Sequence, residues 1–243
     1  MKKIIFAIKH PIKTLVYIKD TFCITVKGIL WLDITDKWER CYIDYNNIDY
    51  NKFDMYQKSH FKRYEFTKSY IKPSDVVWDI ACWTWYGSAI LSTVSYRVDW
   101  YDISQKVVQH NKNKYIAINN LTFLNYDLLQ IQLDSIYNKI ISFETIEHID
   151  SASIIDAFKV FYMALKNGGS VYFSVPYMQE DSQTARELWF HKTFYINEEM
   201  ITKWLSAAWF VIEEIFYQNY DTHEIKKHLE KKDFIICIAK KNA

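Results

Sequence analysis

Short runs of β-branched and aromatic residues alternate with longer helical patterns over most of this chain. The runs cover 75–80, 96–102, 120–126, 139–143, 170–175, 210–218 and 233–240, and the helical patterns cover 56–71, 86–94, 104–117, 151–166 and 197–208. Strands separated by helices are typical of βαβ units, which build a parallel sheet. The alternation predicts an α/β fold, a Rossmann-like, seven-stranded, mostly parallel sheet with helices on both faces.

Capping signals and the loss of periodicity indicate where the elements and the domain begin and end. Asn197, followed by Glu198 and Glu199, is typical of a helix N-cap, and the sequence Asn-Gly-Gly at 167–169 is typical of a helix end. Residues 29–55 show no clear periodicity. We therefore expect an N-terminal extension over residues 1–55 and one domain over residues 56–243.

Composition and charge limit the functions open to the chain. Its formal net charge is only +1, which argues against a protein that follows nucleic-acid phosphates. The four cysteines form no CxxC pair, so neither a zinc site nor a disulfide framework is indicated. No apolar run approaches the roughly 18 residues of a membrane span, and no signal peptide is evident. These features favour a cytoplasmic protein.

The first 28 residues are basic, with six lysines and one aspartate, a net charge of 6 − 1 = +5. Apolar residues at helical spacing make this segment either a helix packed on the domain or a peripheral anchor on an anionic membrane. Pro11 would kink a continuous anchor and favours the first alternative.

The segment VVWDIACWTWYGSAI at 76–90 has the pattern of a buried strand, a tight loop and the start of a helix. That arrangement presents backbone N–H groups to a ligand. It resembles motif I of class I S-adenosylmethionine-dependent methyltransferases, in which glycines follow an acidic residue at alternate positions. A nicotinamide fingerprint would need glycine in place of Ser88. The resemblance covers about 56–243 and implies S-adenosylmethionine as cofactor, bound around Asp79, Ala81, Cys82, Trp83, Trp85 and Gly87.

The same resemblance implies further cofactor contacts. Asp102 ends the second strand and would accept hydrogen bonds from the ribose hydroxyls, with Ile103 beside it. Asp127 and Leu128 follow the third strand and would lie near the adenine. Each aspartate is alternatively an ordinary residue of a strand end or loop.

Upstream, HFKRYEF at 60–66 resembles a stretch that closes the cofactor pocket in a subset of the family. It would place Tyr64 or Arg63 at the methionine end of the cofactor. Alternatively, Phe61 and Tyr64 belong to the core face of a helix.

The segment SFETIEHID at 142–150 resembles the motif that follows the fourth strand in methyltransferases of small molecules. It implies Glu147 and His148 as catalytic residues and Glu144 as a cofactor contact. His148 suits a general base for a hydroxyl acceptor. The pattern E-x-x-E-H also resembles a divalent-metal site of quinone-biosynthesis O-methyltransferases, and a supporting or helix-capping role is a third possibility.

The resemblance is less specific about the acceptor than about the cofactor. His191 would line the acceptor pocket. The implied acceptor is a small molecule, a lipid-linked compound or a glycan, methylated on oxygen. A Pro-Pro-aromatic motif for methylation of base amino groups is absent after the fourth strand, so nucleic acid is not expected as a partner.

Tryptophan stands where the resemblance expects glycine. The chain has 4 glycines and 9 tryptophans in 243 residues, whereas about 7% glycine is usual. Trp83, Trp85, Trp100 and Trp209 occupy expected glycine positions. Side chains at 83 and 85 would obstruct the backbone's approach to the cofactor. Either the chain is a non-catalytic interaction protein, or the natural protein carries glycine at these four positions. The same residue, tryptophan, occurs at all four positions, and the acidic and Glu-His motifs are retained. Both facts favour the second explanation.

Overall fold

The computed structural model describes residues 43–80, 86–187 and 189–242. The strands in them are β1 (Val76–Ile80), β2 (Arg97–Asp102), β3 (Leu121–Asn125), β4 (Tyr137–Phe143), β5 (Leu165–Pro176), β6 (Phe210–Gln218), β7 (Ile225–Lys226) and β8 (Phe234–Lys241). They form one sheet in the order β3-β2-β1-β4-β5-β8-β6-β7. Strands β1 to β5 pair in parallel, and β8 is antiparallel to both β5 and β6.

Helices connect the strands as the alternating pattern predicts. They are α1 (Met55–Lys68), α2 (Tyr86–Ser92), α3 (Gln105–Lys114), α4 (Ile154–Ala164), α5 (Gln183–Glu187) and α6 (Glu198–Ala207). The predicted α/β, Rossmann-like sheet is thus confirmed. It has one more strand than the predicted seven, because Ile225 and Lys226 pair with Gln218 and Tyr217 of β6. A two-residue strand is too short for periodicity to detect.

One capping prediction is confirmed and one is wrong. The Asn197 side chain accepts a hydrogen bond from the Met200 N–H at 3.0 Å, at the start of α6. The sequence Asn-Gly-Gly at 167–169, however, does not end α4. The helix stops at Ala164, and the chain enters β5 at once, with Tyr137 paired to Leu165 and Lys139 to Ser170. The glycines lie in the irregular stretch of β5 between these pairs, where Gly168 has φ +73°.

The core lies on both faces of the central strands. Trp78 of β1 is fully buried, and its ring packs against those of Tyr101, Tyr137 and Phe161. Strands covered on both faces are rich in large apolar residues. This packing holds rigidly the carboxyl ends of β1, β2, β4 and β5, where the polar side chains of interest are found.

The described residues all belong to one compact unit. Before α1, the described chain makes two 3₁₀ turns, Tyr45–Asn47 and Tyr50–Lys52, and buries Ile43. The basic segment 1–28, with its possible membrane contact, lies outside the described residues. No helix in the described ranges is long and apolar enough to cross a membrane.

Candidate functional site

The candidate site lies at the carboxyl ends of β1 and β4, the neighbouring strands between which the order of the sheet changes direction. From β1 the chain continues to β2 and β3 on one side, whereas β4 and β5 lie on the other side. In open α/β sheets, ligands bind at the carboxyl ends of the strands at such a switch point. Asp79 of β1, Asp102 of β2 and Glu144 after β4 all lie at this end.

Asp79 is fully buried and is held by two hydroxyl groups. The Tyr64 hydroxyl donates to Oδ1 at 3.0 Å, and the Ser88 hydroxyl donates to Oδ2 at 2.5 Å. Burial raises the pKa of Asp79 to about 7, although both hydrogen bonds act in the opposite direction. The predicted site residues Tyr64 and Asp79 are therefore in direct contact, and this contact ties α1 to β1.

Gly87 is the one glycine of the motif that the sequence retains, and the structure shows why a side chain would not fit there. A Cβ atom at position 87 would lie 2.2 Å from Cζ of Tyr64. The Tyr64 ring therefore needs glycine below it in order to reach Asp79. The predicted cofactor residues Ala81, Cys82, Trp83 and Trp85 lie outside the described residues.

Asp102 ends β2 as predicted and is partly exposed. Its Oδ1 accepts a hydrogen bond from the Ser104 N–H at 2.7 Å, and the Asn125 side chain donates to the carbonyl oxygens of Asp102 and Ile103. These bonds orient the end of the strand. Ile103, next to this carboxylate, is 64% exposed.

Asp127 and Leu128 have the local contacts of a turn. The Asp127 carboxylate accepts hydrogen bonds from the Leu129 N–H at 2.9 Å and from the Gln130 side chain at 3.0 Å. Leu128 is partly buried against the core. Such contacts are expected of a loop aspartate that caps a turn, the alternative interpretation of this residue.

Glu144 lies in a buried ion pair. Nη1 of Arg63 is 2.6 Å from its Oε1, which also accepts a hydrogen bond from Ser174 at 2.8 Å. Arg63 is fully buried, and it also donates to Gln218 at 2.8 Å. The Glu144 backbone has φ +51°, a conformation that costs energy for any residue but glycine. Arg63 and Glu144 thus link α1 to the ends of β4, β5 and β6.

Glu147 and His148 form a 3₁₀ turn after β4, and both are buried. Burial, followed by the nearby charge of His191, lowers the pKa of His148 to about 4. His148 is therefore neutral at physiological pH. The His148 and His191 rings lie 4.9 Å apart between centroids. The structure thus brings together three of the residues predicted for the acceptor side.

The E-x-x-E-H motif is not assembled as one set of metal ligands. Glu147 and His148 cluster with His191, and this is the group of potential ligands identified among the described residues. Glu144 is instead paired with Arg63. The E-x-x-E-H alternative and the structure thus differ in one residue: the chain leaves β4 through Glu144, whose φ is +51° and whose carboxylate is held by Arg63.

Several residues of the site had no signal in the sequence. Ser174 and Gln218 hold the Arg63 side chain from strands far along the chain. Ser88 stands where a nicotinamide fingerprint would have glycine, and its hydroxyl donates to Asp79. Contacts between distant residues depend on strand order and register, which local patterns do not encode.

Comparison with solved structures identifies the fold. The chain is similar to the N-methyltransferase NodS of Bradyrhizobium japonicum, solved with S-adenosyl-l-homocysteine, with a TM-score of 0.61, 14% identity and coverage of 79% of this chain and 90% of that chain. It is also similar to an S-adenosylmethionine-dependent methyltransferase of Clostridium acetobutylicum, with a TM-score of 0.59, 16% identity and coverage of 82% and 94%. The chain has the methyltransferase fold.

This fold is also used for other chemistry. The cyclase SpnF matches with a TM-score of 0.60, 12% identity and coverage of 79% of this chain and 86% of that chain. No protein-family model matches the sequence, and the search of curated proteins finds no match. The methyltransferase fold is therefore established by structure, and the reaction has to be argued from the site itself.

Proposed function

We propose that the chain is an S-adenosylmethionine-dependent methyltransferase that acts on a hydroxyl oxygen of a small-molecule, lipid-linked or glycan-type acceptor. The observation that supports it most directly is the contact of Tyr64 with both Asp79 and Gly87. One side chain, that of Tyr64, thus contacts both the acidic residue and the last glycine of the motif at the end of β1.

The described residues fit the chemistry of the cofactor. Asp102 offers a partly exposed carboxylate at a strand end, suited to accept hydrogen bonds from two hydroxyl groups. Ile103 offers an exposed apolar side chain next to it, suited to the face of an adenine ring. Asp127 and Leu128 would lie on the adenine side, and Tyr64 on the methionine side. Glycine at 83 and 85 would be compatible with this binding mode, because residues without a side chain would let the loop N–H groups approach a ligand.

The acceptor side rests on Glu147 and His148. The bound cofactor supplies an electrophilic methyl group, so the protein has to orient the acceptor hydroxyl and promote loss of its proton. His148 is neutral because burial lowers its pKa, and a neutral imidazole can accept a hydrogen bond from the acceptor hydroxyl or coordinate a cation. The oxygen acceptor is inferred from this pair of residues.

The specific observation that favours a second candidate is the presence of Trp83 and Trp85 in the sequence. With both tryptophans retained, the chain would be a methyltransferase-fold interaction protein without a cofactor. The two candidates predict different results when glycine replaces both tryptophans.

The test is calorimetric titration of S-adenosylmethionine into the parent chain and the Trp83→Gly/Trp85→Gly variant. We expect no binding by the parent and 1:1 binding by the variant. Adding Asp102→Ala should then weaken binding by roughly 1.5 to 3 kcal/mol through loss of charged hydrogen bonds. Asp102→Asn is the matched control, because it removes the charge but keeps an acceptor for the Ser104 N–H. A folded double-glycine variant that binds nothing would overturn the proposal.

A second experiment addresses the acceptor side. In the glycine-restored chain, His148→Ala should lower turnover about 100-fold or more and leave cofactor affinity unchanged. Turnover is followed by release of S-adenosylhomocysteine with hydroxyl-bearing acceptors. Equal turnover of the two proteins would remove His148 from the reaction.

A further inference from the structure

Two histidines and a glutamate meet in the interior beside the carboxyl end of β4. Glu147 and His148 belong to the 3₁₀ turn Ile146–His148, whereas His191 follows α5. One potential ligand atom from each residue lies within 4.8 Å of the other two, and all three residues are buried. A carboxylate oxygen and two imidazole nitrogens are groups that can coordinate one cation together.

Each of the two imidazole rings is oriented by a hydrogen bond to an oxygen atom of its own. Nδ1 of His148 lies 3.3 Å from the carbonyl oxygen of Phe190, and Nδ1 of His191 is hydrogen-bonded to Oε1 of Gln179. Neither oxygen carries a hydrogen, so the Nδ1 of each ring donates. Metal-binding histidines are oriented in this way, with one N–H given to a carbonyl or carboxylate group.

The backbone holds the two halves of the cluster together. The N–H groups of Lys192 and Thr193 donate to the Glu147 carbonyl at 2.8 and 3.1 Å. The Thr193 hydroxyl also donates to the Ile149 carbonyl at 3.0 Å. These bonds join the segment after α5 to the turn after β4. The three side chains are therefore positioned before any ion binds.

We propose that Glu147, His148 and His191 bind one divalent transition-metal ion through a carboxylate oxygen and two imidazole nitrogens. This donor set suits Zn²⁺ or Mn²⁺ better than Mg²⁺, which prefers oxygen ligands. Metal–ligand bonds of about 2.0 to 2.2 Å would place the three ligand atoms about 3 to 3.5 Å apart. The ligand atoms now lie up to 4.8 Å apart, so binding of the ion would draw the three side chains closer together.

The proposed site differs from an E-x-x-E-H site in its third ligand. Glu144 forms an ion pair with Arg63 and accepts a hydrogen bond from Ser174. His191 therefore replaces Glu144 as the third ligand. Binding of the ion requires neither cofactor nor acceptor. The site thus goes beyond the proposed methyl transfer: with the ion bound, His148 would be a ligand rather than the base, and the ion would act as a Lewis acid beside the acceptor.

The first experiment uses the whole 243-residue chain, treated with a chelator and then dialysed. Calorimetric titrations with Zn²⁺, Mn²⁺ and Mg²⁺ are carried out without S-adenosylmethionine. We expect one equivalent of Zn²⁺ to bind, Mn²⁺ to bind more weakly and Mg²⁺ to show no saturable binding. The thermal midpoint should rise with Zn²⁺. Failure to bind one equivalent of Zn²⁺ overturns the proposal.

Variants then locate the ion. Glu147→Gln and His191→Gln should each lower Zn²⁺ affinity by about 100-fold or more, since each removes one of only three protein ligands. Two control variants, Glu144→Gln and His228→Gln, should keep the parent affinity within about threefold, because neither side chain belongs to the cluster. An equal loss in Glu144→Gln would contradict the assignment of His191, and a loss in His228→Gln would indicate surface binding only.

A Co²⁺ titration of the parent chain needs no variant and covers the case in which a variant fails to fold. Visible absorption bands should appear with one equivalent of Co²⁺ and disappear when one equivalent of Zn²⁺ is added. Co²⁺ bands that persist in excess Zn²⁺ would contradict a shared site. Because the cofactor is absent throughout, these results are independent of whether the glycine-restored chain binds S-adenosylmethionine.

Discussion

Trp209 has a backbone conformation that favours glycine. It directly follows Ala208, the C-cap of α6, and has φ +66°. This is the position after a helix where the left-handed conformation is common and glycine is preferred. Its side chain is 56% exposed, so little buried packing compensates for the strain. Trp100, by contrast, is fully buried within β2 and does not have a positive φ.

We predict that Trp209→Gly is more stable than Trp209→Ala by about 1 kcal/mol. Both substitutions remove the indole ring and its contact with Tyr162, but only glycine relieves the backbone strain. The free energies of unfolding are compared by urea denaturation. Equal stability of the two variants would show that position 209 does not require glycine.

Asp79 should make stability depend on pH. Its pKa is raised to about 7 in the folded protein by burial, from an ordinary value of 3.8. Between these values the folded state binds more protons than the unfolded state, so stability is lost as the pH rises. We predict that the free energy of unfolding falls from pH 5 to pH 7 by on the order of 2 kcal/mol more in the parent than in Asp79→Asn.

Asparagine is suitable for this comparison because it stays uncharged and can still accept a hydrogen bond from Tyr64 or Ser88. Denaturant unfolding at several pH values gives both curves. Parallel curves would mean that Asp79 is not the titrating group.

At the scale of the elements, the buried Arg63 network fixes α1 on the sheet. Arg63 reaches Glu144 after β4, Ser174 in β5 and Gln218 in β6, and its guanidinium lies 4.2 Å from the centre of the Phe234 ring. Because Tyr64 is the next residue, the same helix also presents the hydroxyl that binds Asp79. The position of α1 therefore affects both parts of the candidate site.

We predict that Arg63→Met destabilises the protein by about 3 to 5 kcal/mol, because the Glu144 carboxylate loses the guanidinium that compensates its buried charge. Arg63→Met combined with Glu144→Gln should cost less than the sum of the single changes, by about 1 to 3 kcal/mol. Unfolding by denaturant gives all four values of the cycle.

The control cycle is Lys192→Met with Asp150→Asn. These side chains form a 3.0 Å ion pair but are 50% and 70% exposed, so their coupling should stay below about 1 kcal/mol. If the buried cycle showed coupling no larger than this exposed pair, the network would not fix α1.

At the scale of the whole molecule, four tryptophans fall at positions expected to be glycine, and the glycine content is very low. Loss of catalytic function would not place the same residue, tryptophan, at all four positions. Nor would it preserve the packing of Tyr64 against Asp79 and Gly87. We predict that the protein from its natural source carries glycine at 83, 85, 100 and 209. Mass spectrometry of peptides that span these positions measures this directly. Retention of tryptophan at 83 and 85 would make the interaction protein the leading interpretation.

Much of the fold was determined by the sequence alone. The order of strands and helices, the parallel sheet and the location of Asp79 and Asp102 at strand ends follow from local periodicity, because each depends on residues close together in the chain. The Asn197 cap is local in the same sense. The end of α4 does not depend on local sequence. Leu165 pairs with Tyr137, so the chain enters β5 before it reaches the glycines.

Only the tertiary structure decided which side chains meet. Glu144 pairs with Arg63 rather than with Glu147, and Glu147 and His148 face His191 from another part of the chain. Such choices depend on strand register, on the direction in which each chain segment leaves its strand and on the cost of burying charge without a partner. None of these is a property of a short stretch of sequence, so the residue types were predictable and their partners were not.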